Sequence, residues 1–270
     1  MNNEVIYKHG LDIELLLNTA QLAAIIVLES GGETSRAEET ATIICRSYGE
    51  AAEAIAFPTG IFITVENGDG HKMTSVARVR SRNVNLYRVE RANAFSRDFA
   101  SGKITLEELN RALTELKSQI LYKKLLSLIC TGLSAAAFTL LFEETLGLSV
   151  LFDMAVALLA SFTAQTVVSS PKLKGSYQFS LTFLSASIMT VLSTLCVALF
   201  GIGDLNCIII GSIMPLLPGL SLTNAIRDTV MGDTVSGTVR IVETMLTAIA
   251  IAGGVGVVLL SYVSFFGGTV

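Results

Sequence analysis

Five stretches in the second half of the chain are apolar all the way round, not on one face only. They cover residues 125–142, 148–168, 178–200, 205–222 and 238–262. A helix needs ~20 mostly apolar residues to cross the hydrocarbon core of a bilayer. A core helix of a soluble protein would instead alternate apolar and polar faces. The pattern therefore predicts five membrane-spanning helices. The only charges inside them are Asp153 in the second and Arg240 and Glu243 near the start of the fifth. The fourth is interrupted by Pro215, Pro218 and Gly219.

The first 120 residues carry mixed periodicities. Leu15, Leu16, Leu22, Ile25 and Ile26 place a helical stripe on residues 11–29. Ser35 with Glu38 fits a capping box that opens a helix ending near Gly49. Residues 54–57 and 61–65 read as strands, and Asn67-Gly68-Asp69-Gly70 as a hairpin turn before a return strand over 72–82. A helix follows over 86–99, and Thr105 with Glu108 caps a last one over 106–120. The expected architecture is an α-helical integral membrane protein with five transmembrane helices. A small N-terminal cytoplasmic α+β domain (1–120) precedes the transmembrane domain (121–270).

Charge sharpens this division. The first 124 residues hold 15 Lys+Arg and 16 Asp+Glu, against 4 and 7 in the remaining 146. Water suits the first part and lipid the second. The net charge of −4 argues against a nucleic-acid partner, which would need a basic surface to neutralise phosphates. Basic residues recur on every second loop: Lys123 and Lys124, then Lys172 and Lys174, then Arg227 and Arg240. Lys and Arg accumulate on the cytoplasmic side, so the N-terminus is expected inside and the C-terminus outside. The start of the chain lacks a basic segment followed by an apolar core, so no signal peptide is expected and the first apolar run serves as the targeting signal.

Candidate chemistry gathers around the interrupted helix. Proline removes a backbone donor and clashes with the preceding turn. Within a bilayer such a break is tolerated where protein or water satisfies the freed carbonyls, and discontinuous helices build sites in transporters. The following segment, NAIRDTVMGDTVSG over 224–237, is dense in polar and small residues. An Arg beside a carboxylate can clamp a substrate carboxylate while its partner takes an amine. Pro215, Pro218, Gly219, Asn224, Arg227, Asp228 and Asp233 are the substrate-binding candidates, against the simpler alternative of a kink and a surface loop. Asp153 and Glu243 are ion-coupling candidates, because a carboxylate in lipid is costly and functional by default. Glu243 also has Arg240 three residues earlier as an ion-pair partner.

The rest of the sequence offers little chemistry. Cys45, Cys130, Cys196 and Cys207 show no metal-ligand spacing, and neither a metal nor a cofactor is expected. Signatures of hydrolases, P-loops and dinucleotide folds are missing, and His9 and His71 stand alone. Ser30, Glu33, Thr34, Ser35 and Arg36 form a polar cluster at a helix start, read as capping, with anion binding as the alternative. Arg78, Arg80, Arg82, Arg88 and Arg91 read as a solvated face. Gly253, Gly254 and Gly256 would permit close helix packing.

The run MPLLPGLSLTNAIRDTVMGDTVSG resembles the bacterial threonine/serine exporter (ThrE) family in its pattern P-x-x-P-G, N-x-I-R-D and G-D-x-x-S-G. Here these are Pro215, Pro218 and Gly219; Asn224, Ile226, Arg227 and Asp228; and Gly232, Asp233, Ser236 and Gly237. GGETSRAEETATIICRSYG and FPTGIFITV resemble the cytoplasmic part of that family. The resemblance implies no enzyme, but a secondary exporter of small polar metabolites in the bacterial inner membrane. Full-length members carry a second membrane half. This chain is similar to the split members, one pair of which is associated with succinate export. It implies threonine/serine or a dicarboxylate as substrate, and a small integral membrane protein, or further copies of the chain, as partner. The competing expectation is a membrane-anchored hydrolase or regulatory subunit acting through the cytoplasmic domain.

Overall fold

The structure is a computed structural model, described for residues 2–66, 70–120, 122–144, 147–173 and 177–266. The expected hairpin turn at Asn67-Gly68-Asp69 and the loop residue Lys174 lie outside the described residues. The chain is mostly helical, with one small sheet near the N-terminus. It divides into two compact units: residues 1–119 with 220–241, and residues 120–219 with 242–270. The first unit thus takes in a segment that lies a hundred residues further along the chain than the rest of it.

The first unit opens with α1 (Asn2–Glu29) and α2 (Thr34–Ser47). An antiparallel sheet follows, β1 (Ala51–Phe57), β2 (Gly60–Glu66) and β3 (Lys72–Arg78), in sequence order. Ala56 pairs with Ile61, and Ile61 with Ala77. Strand periodicity decides the faces. Ile61, Ile63 and Val65 point into the core, while Phe62 and Glu66 point out. On β1 the inward residues are Ala52 and Ala56, small enough for α2 to lie close on the strand. The helices α3 (Leu86–Ala100) and α4 (Leu106–Ser118) complete the layer. Leu106, Leu109, Leu113 and Leu116 form the buried stripe of α4, at the spacing of one helix face. They join Leu16, Ile26, Leu28 and Ile44 in one core.

The two expected capping boxes fare differently. At α4, Thr105 N donates to Glu108 Oε2 at 2.8 Å and Glu108 N to Thr105 Oγ1 at 3.3 Å. At α2 no such box forms. The helix starts two residues earlier than that box implies, at Thr34, behind an N-cap Glu33 that makes no side-chain cap bond. Glu38 instead accepts from Ala56 N at 2.7 Å. β1 is an edge strand, and the carboxylate satisfies a donor the sheet leaves open.

The second unit contains α5 (Lys124–Phe142), α6 (Leu148–Val168), α7 (Gln178–Phe200), α8 (Leu205–Ile213) and the later part of α10 (Thr234–Phe266). Among the described residues, four helices are long and apolar enough to cross a membrane, and a fifth if α8 and α9 (Gly219–Val230) count as one interrupted span. The break falls where the prolines predict it. α8 stops at Ile213, Met214–Leu216 form a single 3-10 turn, and Leu217 is extended ahead of Pro218. The expected fourth span over 205–222 is therefore two helices, and the second reaches Val230. Residues 224–237 are correspondingly helix, tight turn and helix, because Asn224–Val230 continue α9 and α10 begins at Thr234, four residues before the expected 238.

Small residues make the helix contacts of this unit, as packing without a hydrophobic driving force requires. A Cβ on Gly132 would stand 3.1 Å from Leu158 O, and one on Gly254 would meet Phe183 O at 2.6 Å. Gly253 and Gly254 thus pack on α7, while Gly256 faces open space. Buried hydroxyls bond back to their own helices: Thr139 to Ala135 O, Thr190 to Ala186 O, Ser193 to Met189 O and Ser212 to Ile208 O. That satisfies them where water is absent.

Candidate functional site

Two helix-to-helix turns of the same design meet in the first unit. At the end of α1, Gly31 has φ +80°, Gly31 N donates to Leu28 O and Gly32 N to Val27 O. At the end of α9, Gly232 has φ +97°, Gly232 N donates to Thr229 O and Asp233 N to Asp228 O. Both are Schellman turns, in which a left-handed glycine closes the last carbonyls. Each leads straight into the next helix. Asp233 then caps α10, its Oδ1 accepting from Ser236 N at 3.2 Å. Gly237 has no room for a side chain, since a Cβ there would lie 2.9 Å from Ala225 O.

The polar residues of the α9–α10 turn close on the α1–α2 turn. Asn224 Nδ2 donates to Gly31 O at 2.9 Å, and Arg240 Nη2 to Gly32 O at 2.8 Å. Arg227 donates to Glu33, whose carboxylate also lies 3.8 Å from Arg36. Thr34 donates to Asp233 Oδ2 at 2.9 Å. Arg240 Nε stands 3.1 Å from Asp228 Oδ2, with both side chains almost wholly buried. Spacing on α9 explains who is buried. Asn224 and Asp228, four apart, share the inward face, while Arg227 sits beside it with half its side chain in the open.

The electrostatics of this cluster reach α2. Burial pushes the Glu38 carboxyl above its ordinary value, the Ala56 N–H opposes this, and the charges of Asp233 and Asp228 push further up. The cluster therefore balances Asp228, Asp233, Glu33 and Glu38 against Arg227, Arg240 and Arg36.

The structure brings Asn224, Arg227, Asp228 and Asp233 together. Pro215, Pro218 and Gly219 belong to the other unit, where they end α8 and start α9. Asp153 is buried on α6 and accepts from Asp204 N at 3.2 Å. Glu243 lies on α10, one turn after Arg240. Sequence reasoning placed Arg240 at the start of the fifth span, as a basic residue and a partner for Glu243, and Glu33 in a polar cluster read as capping. The signals for both were there: an Arg opening an apolar helix, and an acid straight after Gly-Gly.

A family model described as "Putative threonine/serine exporter" matches residues 18–262, nearly the whole chain and both ends of this cluster. The chain belongs to the ThrE family. No curated protein and no solved structure matches it. ThrE is a family of exporters, in keeping with the apolar helices of the second unit, and nothing in it supports an anchored hydrolase. The geometry gives the ThrE-like residues physical roles. Gly232 provides the left-handed turn, Asp233 the cap, Gly237 the close approach, and Asn224 and Asp228 the buried contacts.

Proposed function

We propose that the chain is a subunit of a secondary exporter that moves small polar metabolites out of the cytoplasm, namely threonine and serine or a dicarboxylate such as succinate. Its partner is a small integral membrane protein that supplies the second half of the pathway, or further copies of the chain. The orientation, N-terminus inside and C-terminus outside in a bacterial plasma membrane, rests on the basic loops.

The observation that carries this reading is Arg227. Its guanidinium is half exposed, and it is engaged by a carboxylate of the protein itself, Glu33. All the substrates named share a carboxylate, and a planar guanidinium binds one in two-pronged fashion. Glu33 is then a placeholder, which a substrate carboxylate displaces. Asn224, Asp228 and Asp233 hold the turn that aims Arg227. Pro215, Pro218 and Gly219, where α8 ends and α9 begins, remain substrate-binding candidates through the resemblance that singled them out. Asp153 and Glu243 serve ion coupling, Asp153 from a position out of water.

The test is counterflow of labelled threonine, serine and succinate in proteoliposomes, with and without the candidate second half. Arg227→Ala abolishes uptake of the true substrate while the protein still assembles, and Glu33→Gln lowers KM by removing the competitor. Wild-type flux in Arg227→Ala removes the assignment. Asp153→Asn abolishes the pH dependence of export, and an unchanged profile excludes Asp153 from coupling.

A further inference from the structure

The open edge of the small sheet, in the first unit, borders a groove. Ala56 N donates to Glu38, so it points away from β2. In an antiparallel ladder the main-chain groups that point to one side come from alternate residues. The N–H and C=O groups of Ala54 and Ala52 therefore turn to the same side as Ala56 N. No strand among the described residues pairs with them. Beside them runs one face of α2, on which Glu38, Glu39, Thr42 and Arg46 fall at helical spacing. This face and residues 52–55 of β1 line a groove of about 500 Å³. β1 carries no proline, bulge or lysine, the devices that ordinarily guard an edge against strand addition.

An extended peptide fits both walls of this groove. Its main chain offers a donor and an acceptor to one side at every second residue, which matches Ala54 and Ala52. Glu38 already fills the edge at Ala56, so an added strand stops there. The side chains of that strand alternate between two surroundings. On one side they meet the polar face of α2. On the other they extend the outer face of the sheet, where Ile55, Phe62 and Val76 form one exposed cross-strand row. Phe57 packs edge to face on Phe62 beside that row, so apolar residues belong on this side. Charge decides the other side. The groove presents Glu38, Glu39 and Glu53 against Arg46 alone, and Glu39, Glu53 and Arg46 are exposed. A second copy of β1 is the wrong occupant, because AAEAIAF holds no cation and would bring another Glu53 to the same edge.

We propose that the β1 edge takes up, as a fourth strand, an extended segment of another protein in which apolar and cationic residues alternate. The main chain of the segment pairs with Ala54 and Ala52, its cations face Glu38 and Glu39, and its apolar residues continue the Ile55 row. The surface lies wholly within the first unit and shares only Glu38 with the Arg227 cluster. It does not depend on the exporter reading.

The probes are short fluorescent peptides that alternate valine with lysine or valine with glutamate, read by anisotropy on the purified full-length chain in non-ionic detergent. The lysine peptide binds saturably, and the glutamate peptide binds at least about tenfold more weakly. Two further lysine peptides carry N-methyl groups, one on its lysine nitrogens and one on its valine nitrogens. Only one edge of an added strand faces β1, so one of these forms loses binding by about tenfold or more and the other keeps it. Ala54→Pro removes the outward donor without touching the ladder to β2, a change that an edge strand tolerates, and it abolishes binding. Glu39→Lys with Glu53→Lys turns the preference toward the glutamate peptide. Absence of saturable binding overturns the docking surface, equal binding of the two methylated forms overturns strand pairing, and an unchanged preference in the lysine variant overturns the choice of cation. Dimerisation that Ala54→Pro abolishes would give the edge to a second copy and overturn the choice of partner. Thermal unfolding verifies the fold of Ala54→Pro, and the methylated pair tests the same bonds on the wild-type chain should that variant not fold.

Discussion

Asp228 and Arg240 are oppositely charged groups held out of water 3.1 Å apart. Such a pair contributes little against a well-packed apolar pair, but removing one partner strands the other charge at a cost of about 3–5 kcal/mol. Asp228→Asn is therefore expected to destabilise the first unit by that amount, and Asp228→Asn with Arg240→Met by clearly less. Cys45 reports the change. It is fully buried, and burial, helped by the Glu50 charge, pushes its thiol up to about 12, so it reacts only when the unit opens. Its maleimide labelling should rise by roughly two to four orders of magnitude in Asp228→Asn. A rate equal to wild type would show that the pair stabilises nothing. Glu38 gives a pH signature. Its carboxyl is raised above the ordinary 4.5, first by burial and then, against the lowering Ala56 N–H, by Asp233 and Asp228. The folded state thus holds its proton longer than the unfolded chain, and stability falls as pH rises through the range just above 4.5. Glu38→Gln keeps an acceptor for Ala56 N and removes that fall. Thermal melts of the two proteins should diverge with increasing pH, the variant being the more stable at neutrality.

At the scale of elements, the glycines separate by what surrounds them. Gly237→Ala places a methyl 2.9 Å from Ala225 O and 3.0 Å from Thr229 N, both main-chain atoms that cannot swing aside. Gly256→Ala meets open space and gains the better helix propensity of alanine, about 0.5–1 kcal/mol. Thermal unfolding should show a loss for the first and no loss for the second. The same contrast shows what a sequence discloses. Thr105/Glu108 and Ser35/Glu38 present one pattern, and only the first forms a capping box. α4 faces no rival for Glu108, whereas Glu38 finds the edge donor of β1, which local spacing does not reveal. The apolar runs were legible to within a few residues because lipid imposes its requirement on each helix separately. The proline break was legible for the same reason. The extension of α9 to Val230 was not. Its polar composition suggests a loop, and the helix exists because Asn224 has a partner at Gly31, on a turn almost two hundred residues earlier, and Asp228 has one at Arg240.

On the scale of the whole molecule, chain order and compactness disagree. A cut after residue 119 looks like a cut between a water-soluble part and a lipid-soluble part, as the charge distribution implies. Yet residues 220–241 group with residues 1–119, through Asn224 to Gly31, Arg240 to Gly32, Arg227 to Glu33 and Asp233 to Thr34. Deleting the first 119 residues would leave Asp228 and Arg240 without the α2 turn that surrounds them. The lone 120–270 fragment is thus expected to accumulate poorly in membranes. Co-expressed fragments 1–119 and 120–270 should instead purify together, since the contacts that link them need no peptide bond at 119. Asn224→Ala combined with Arg240→Ala should abolish that co-purification, because both ties to the Gly31-Gly32 turn are removed. Arg227→Ala should weaken it least, because its half-exposed ion pair with Glu33 is the sort that contributes under about 1 kcal/mol. That ordering separates the roles within one turn. The buried residues hold the fold, and the exposed arginine, which stability can spare, suits the substrate-binding role proposed for it. If Arg227→Ala disrupted co-purification as thoroughly as the buried pair of substitutions, Arg227 would be a structural tie and its proposed part in transport would lose its basis.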